Sequence, residues 1–197
     1  MNTRELSFNE AYDFISQTLY VNQMKTELRI LHTLISEYIP TPKTILEIGI
    51  RDGANLCLLS RFLDQDGLAI GIDPEQIITL DTDKVQSFIL PAKFHFIKGL
   101  SQDYNILGSI YDLLKDRKVD ILFIDGDHAY ESVKTDYELY SQLVKSPGII
   151  VIHDIGDYDG KSIGTTVEYW FKELRKKHPY VEIVSNPPIC GLGVVYK

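Results

Sequence analysis

Only two of the 197 residues are cysteine, Cys57 and Cys190, and they stand far apart. That spacing forms neither a metal-ligand pair nor a disulfide framework, and it fits a reducing compartment. Long apolar runs are missing as well, since none approaches the roughly 18 residues that cross a bilayer. Glu5, Glu10 and Asp13 interrupt the opening segment, so a secretory leader with a basic start and an unbroken apolar centre is not expected. Basic residues are in short supply: 20 Lys and Arg face 28 Asp and Glu, a formal net charge of -8. Nucleic-acid affinity rests on concentrated positive charge, so this balance argues against such a partner. The expectation is a cytoplasmic protein that engages neither nucleic acid nor membrane. No repeat, low-complexity stretch or long flexible linker divides the chain. At 44% apolar and 24% charged, its usage is that of one globular domain able to bury a core without staples.

What the sequence does contain is alternation. Short apolar runs occur at Thr44–Ile48, Leu68–Asp73, Phe94–Lys98, Val119–Asp125, Gly148–His153, Val181–Val184 and Leu192–Tyr196, and most neighbours enclose room for a helix. Such alternation predicts an α/β fold, a doubly wound and mainly parallel seven-stranded sheet covered on both faces. Asn186-Pro187-Pro188 and Gly191 leave no space for a helix between the last two runs, so these are expected to pair as an antiparallel hairpin. Tyr130, Val133, Tyr137, Tyr140, Leu143 and Val144 recur at helical spacing, with Pro147-Gly148 as the stop. Leu28, Leu31, Leu34, Ile35 and Tyr38 make another amphipathic pattern before Pro40 and Pro42. Residues 1–40 are therefore expected to form an N-terminal helical extension, placed to cover a site or to make a homodimer contact, and residues 41–197 the α/β domain. Tyr169, Trp170, Phe171 and Leu174, on a helix from about Ser162, read as core or as a lid.

The sharpest local signal runs from Thr44 to Asn55: an apolar strand, a turn with Gly49 and Gly53, then a helix from near Ala54. Glycine lets the chain turn tightly and lets a ligand lie against the main chain. A dinucleotide site would read G-x-G-x-x-G, but Arg51 replaces the second glycine and leaves less room for a pyrophosphate. Glu47 at the strand end suits a cationic or amine-bearing ligand. Asp73, 26 residues after Glu47, falls where an acid after the second strand accepts ribose hydroxyls. Together these residues point to an adenosine ligand without phosphates.

At this point the sequence resembles the class I S-adenosylmethionine-dependent methyltransferases, whose E-x-G-x-x-x-G motif is matched by Glu47, Gly49 and Gly53. The resemblance implies a Rossmann-like fold and S-adenosyl-L-methionine as cofactor. The residues it implies for that cofactor are Glu47, Gly49, Arg51, Gly53, Asn55, Asp73, Pro74, Gly99, Leu100, Ser101 and Asp125. The glycine turn would hold the methionine part and Asp73 the ribose, with Gly99, Leu100 and Ser101 against the adenine. Asp125-Gly-Asp-His-Ala-Tyr130 ends the fourth strand and Ile152-His-Asp154 the fifth. That pair is similar to the branch of macrocin-type sugar O-methyltransferases and cephalosporin-hydroxylase-like proteins. By this resemblance Asp125, His153 and Asp154 would ligate a divalent cation, Mg2+ or Mn2+, which lowers the pKa of an acceptor hydroxyl. His153 departs from the commoner Asp-Asn or Glu-Asp pair there. His128 is the candidate general base, oriented by Asp125 or Asp127, and Asp154 is the other candidate catalytic residue.

The expected reaction is methyl transfer to a small-molecule hydroxyl, of a sugar or a natural product. Asp125 and Asp127 also spell the D-x-D metal motif of nucleotide-sugar glycosyltransferases, a reading that leaves the turn from Glu47 to Gly53 and Asp73 unexplained. A D-x-D phosphatase meets the same objection. A nicotinamide-dependent oxidoreductase is opposed by Arg51. A methyltransferase-like domain that binds the donor without catalysis is the remaining alternative.

Overall fold

Seven strands form one sheet in the computed structural model, which describes residues 3–74, 80–156, 166–184 and 190–197. In chain order they are β1 (Thr44–Ile48), β2 (Leu68–Asp73), β3 (Lys93–Lys98), β4 (Val119–Ile124), β5 (Val144–His153), β6 (Tyr180–Ile183) and β7 (Leu192–Tyr196). Across the sheet they run β3-β2-β1-β4-β5-β7-β6. The first five are parallel, and β7 is antiparallel to both β5 and β6. The sheet is thus the mainly parallel one expected, with its last strand reversed.

Side-chain alternation sends each central strand to two cores. Ile45, Ile121, Phe123, Ile149 and Val151 pack with α1 (Phe8–Ser16), α2 (Lys25–Tyr38), α3 (Ala54–Leu59) and α4 (Thr82–Ile89). Leu46, Leu122, Ile124, Ile150 and Ile152 pack with α5 (Tyr104–Leu114), α6 (Tyr130–Tyr140) and α7 (Val167–Leu174) on the other face. Both faces are covered, which is why these strands read as unbroken apolar runs. The N-terminal helices are a layer of this core: Ala11 and Ile15 of α1 and Leu31 and Ile35 of α2 share a cluster with Leu56 of α3. A capping box between Ser7 and Glu10 starts α1. Trp170, Phe171 and Leu174 of α7 are buried, while Tyr169 is exposed.

One expectation fails. The helix predicted to run from Tyr130 to Pro147 ends at Tyr140, passes through a 3-10 turn at Ser141–Leu143, and gives way to β5 at Val144. Val144 pairs with Val119, and the register shifts before Ile149 meets Ile121, so Pro147 and Gly148 occupy an irregular stretch of strand. A residue without an N–H is tolerated there because the ladder is interrupted. The predicted helix start near Ser162 and the Asn186-Pro187-Pro188 turn lie outside the described residues. Among the described residues no helix is long and apolar enough to cross a membrane.

Buried Asp120 in β4 accepts the N–H groups of Lys43 and Thr44 at 3.0 and 2.9 Å and pairs with Lys145 of β5. It ties together three strands at the sheet edge opposite the one where β1 and β4 end. Asp120→Ala strands those donors and is expected to lower unfolding stability by about 2 kcal/mol in urea titrations.

Candidate active site

Strands β3, β2, β1 and β4 end side by side around a cavity of about 670 Å³. The crevice beyond the carboxyl ends of parallel strands is where such sheets bind ligands. In sheet order this edge presents Gly99 to Gln102 after β3, Asp73 at the end of β2, Glu47 to Arg51 around the end of β1, and Asp125 to His128 after β4. Of the cofactor residues predicted from the sequence, Glu47, Gly49, Arg51, Asn55, Asp73, Pro74, Gly99, Leu100, Ser101 and Asp125 border the cavity, and Gly53 does not.

Gly49 has φ +82°, and a Cβ there would stand 2.0 Å from the Asp125 carbonyl oxygen. The close approach that excludes a side chain is therefore to the chain's own backbone after β4. Two residues on, Arg51 takes the left-handed conformation (φ +53°) and donates its N–H to Asp73 Oδ2 at 2.9 Å. Asp73 braces the turn as well as facing the cavity. Gly53 opens α3, and a Cβ there would press on Val85 of α4 at 2.7 Å. Its place in the motif thus serves helix packing.

Glu47 is buried, and its Oε1 accepts from Asn55 Nδ2 at 2.9 Å. Its Oε2 has no hydrogen-bond partner among the described residues. Burial raises this carboxyl to about 8, against the opposing effect of Asn55. Near neutral pH Glu47 is therefore mostly protonated until positive charge arrives.

The segment between α1 and α2 covers the site. Tyr20, Asn22 and Gln23 border the cavity, and Gln23 Nε2 donates to Asp125 Oδ2 at 2.6 Å. The Tyr20 N–H donates to the Asp52 carboxylate, and the Arg51 guanidinium lies 4.5 Å above the Tyr20 ring. Sequence reasoning missed these residues because they form no motif and contact partners far along the chain.

Beyond β4 and β5 two histidines and two carboxylates interlock. His153 Nδ1 lies 2.8 Å from Asp125 Oδ1 and 3.4 Å from Asp154 Oδ1. His128 Nδ1 lies 2.8 Å from Asp154 Oδ2, and its Nε2 is 3.5 Å from Asp125 Oδ1. Burial pushes both carboxyls up, but His153 and His128 outweigh it and hold Asp125 well below the usual range. Asp154 is lowered for the same reason, chiefly by His128. Hydrogen bonds to Asp125 and Asp154 raise His128 to about 10, and Asp125 raises buried His153 against its desolvation. The near-neutral imidazole expected at His128 is not what these carboxylates produce; it keeps its proton at neutral pH. Asp125, His128 and Asp154 offer ligand atoms within 4.8 Å of one another. Neither His153 nor Asp154 borders the cavity; His153 holds Asp125 at 2.8 Å, and the imidazole that borders the cavity is His128. His153 also belongs to a second such group, with Asp154 and Cys190.

Fold and site together define an α/β protein built around a ligand cavity at the switch point of its sheet. The chain belongs to the methyltransferase domain family, which matches residues 46–155. A relative from Acanthamoeba polyphaga mimivirus, the uncharacterized protein R132, is 34% identical over 197 aligned positions covering 90% of this chain and 88% of its own. The uncharacterized protein y4gI of Sinorhizobium fredii is 25% identical over 79% of this chain, which spans only 17% of that much longer relative. Among solved structures, the O-methyltransferase TomG from Streptomyces achromogenes, in complex with SAM, has a TM-score of 0.63 at 17% identity, covering 98% of this chain and 90% of its own. The Bacillus cereus O-methyltransferase in complex with SAH scores 0.60 at 16% identity, covering 95% and 97%. The methyltransferase MycE of the mycinamycin pathway, with Mg, SAH and mycinamycin VI, scores 0.63 at 19% identity, and this chain spans 54% of its length. At these identities the likeness is one of fold.

Gly49→Ala forces a Cβ into the Asp125 carbonyl and strains φ, so thermal unfolding is expected to show a loss of more than about 2 kcal/mol.

Proposed function

We propose that this chain is an S-adenosylmethionine-dependent O-methyltransferase acting on a small-molecule hydroxyl, of a sugar or a natural product, with a divalent cation beside the donor. The observation that carries this reading is the buried Glu47 carboxyl with one unpartnered oxygen, in the cavity that Asp73 and Ser101 also border. An amino-acid ammonium supplies both the missing donor and the positive charge that ionises Glu47, and a phosphate supplies neither. Asp73 at the end of β2 suits the ribose, and Gly99, Leu100 and Ser101 suit the adenine. The SAM and SAH carried by TomG and by the Bacillus cereus enzyme, of like fold, support this donor.

When bound, the donor supplies an electrophilic sulfonium methyl. The protein's part is approach and orientation, with Gln23 and His153 fixing Asp125 from two sides. Asp125, His128 and Asp154 would hold a divalent cation, and two carboxylates with one imidazole fit Mg2+ or Mn2+. The Mg carried by MycE, of like fold, supports a divalent cation in such a fold. Such an ion supplies Lewis acidity toward the acceptor hydroxyl. His128 keeps its proton because of the two carboxylates; as a ligand to such an ion it would give up that proton and lend its one lone pair to the metal, so the acceptor's proton would pass to water and not to His128. The chain's distant cysteines and the absence of a membrane-spanning helix among the described residues are in keeping with a cytoplasmic setting.

Calorimetry with S-adenosylmethionine and S-adenosylhomocysteine, with and without Mg2+ or Mn2+, tests this reading. Both are expected to bind, and Asp73→Ala is expected to weaken them about 30-fold through lost charged hydrogen bonds. Asp154→Asn is expected to keep donor affinity within about twofold yet to slow methylation of an acceptor, found by screening hydroxylated compounds, about 100-fold. Binding of a nucleotide sugar with Mn2+, and of neither donor, would transfer Asp125 and Asp127 to a glycosyltransferase site.

A further inference from the structure

Helix α6 grips the loop after β3 at one residue from two sides. Asp136 Oδ1 accepts from the Ser101 hydroxyl and from Gln102 Nε2, each at 2.6 Å. Tyr140, one turn along the same helix, donates its hydroxyl to the Ser101 carbonyl at 2.7 Å. Asp136 and Tyr140 are completely buried, whereas Ser101 and Gln102 border the cavity. The second oxygen of Asp136 has no hydrogen-bond partner among the described residues and lies against Gly126, in the loop that carries Asp125 and His128.

This arrangement biases the cavity wall toward acceptors. A carboxylate only accepts, so it draws the O–H of Ser101 and an N–H of Gln102 away from the cavity. The lone pairs of the Ser101 oxygen and the carbonyl oxygen of Gln102 remain for a ligand, beside the second N–H of the Gln102 amide. The carboxylate also decides which end of the Gln102 amide is which, since the opposite orientation would set two acceptors 2.6 Å apart. Burial raises Asp136 to about 6 against the two donors, so above neutral pH the acceptor form prevails.

We propose that Asp136 sets the hydrogen-bond polarity of the nucleobase subsite, so that the site selects a base with an exocyclic amino group over its deaminated, oxo-bearing counterpart. The inference rests on the donor reading above, in which this loop faces adenine. The adenine amino group would meet two acceptors there, whereas the oxo group of hypoxanthine would face the same oxygens with only the second Gln102 N–H to pair it. Asp136 acts through Ser101 and Gln102 and is a positioning residue.

The test compares S-adenosylhomocysteine with S-inosylhomocysteine by calorimetry on the full chain. The unaltered protein is expected to prefer the adenosyl compound by at least about 30-fold, the scale on which a site built to pair a donor rejects an analogue lacking it. Asp136→Asn, whose amide can itself donate, is expected to reduce that preference below about threefold while circular dichroism stays unchanged. Gln102→Met removes one acceptor and leaves Asp136 in place; it is expected to narrow the preference to about fivefold, and it decides the matter should Asp136→Asn fail to fold. Equal binding of the two compounds by the unaltered protein overturns the inference, as does an unchanged ratio in the folded variants. Binding of neither compound by the unaltered protein overturns the donor reading itself, and the inference with it.

Discussion

The site depends on one crowded contact, the approach of the Gly49 backbone to the Asp125 carbonyl where β1 and β4 end side by side. No side chain fits between them, so the two loops behave as one surface. The turn that follows carries the Arg51 N–H to Asp73 and so fixes the end of β2. On the other side the same contact sets Asp125 between Gln23 and His153. Glycine at position 49 thus places the ends of three strands, and a ligand that touches all three meets a rigid wall.

Around that wall the protein holds its buried acids in two different states. Glu47 is left with an unpartnered oxygen and a raised pKa, whereas Asp125 and Asp154 are paired with imidazoles and held ionised. The two environments fit the different work proposed for them: one buried acid to meet a cation on the ligand, and the other pair to hold a cation. Helix α6 joins the regions, since it follows directly on His128 and grips Ser101 with Asp136 and Tyr140.

Much of this was legible in the sequence because backbone patterns are local. The bounds of β1, β2 and β7 follow directly from runs of apolar residues, and the turn from Glu47 to Gly53 and the acid at Asp73 sit where their motif put them. The end of α6 was not legible, because Leu143 and Val144 satisfy helical and strand periodicity alike and only the pairing of Val144 with Val119 decides between them. That His128 and not His153 borders the cavity escaped for another reason. One ends β5 and the other lies in the loop after β4, and which ring borders the cavity depends on the loop conformation, including φ +62° at Asp154. Gln23 and Asp136 carry no motif at all; their roles exist only once chain segments distant in sequence have met.

The central claim is that Glu47 awaits a positively charged amino-acid donor, and its protonation state makes that measurable. Starting near 8, Glu47 is mostly protonated at pH 7, and a neighbouring ammonium lowers its pKa, so binding must release a proton and strengthen as pH rises toward 8. Calorimetry of S-adenosylmethionine binding at pH 7 in phosphate and in Tris, whose ionisation heats differ, reads this directly. The account predicts release of close to one proton, abolished by Glu47→Gln. Identical heats in the two buffers, or a release that survives Glu47→Gln, would contradict it.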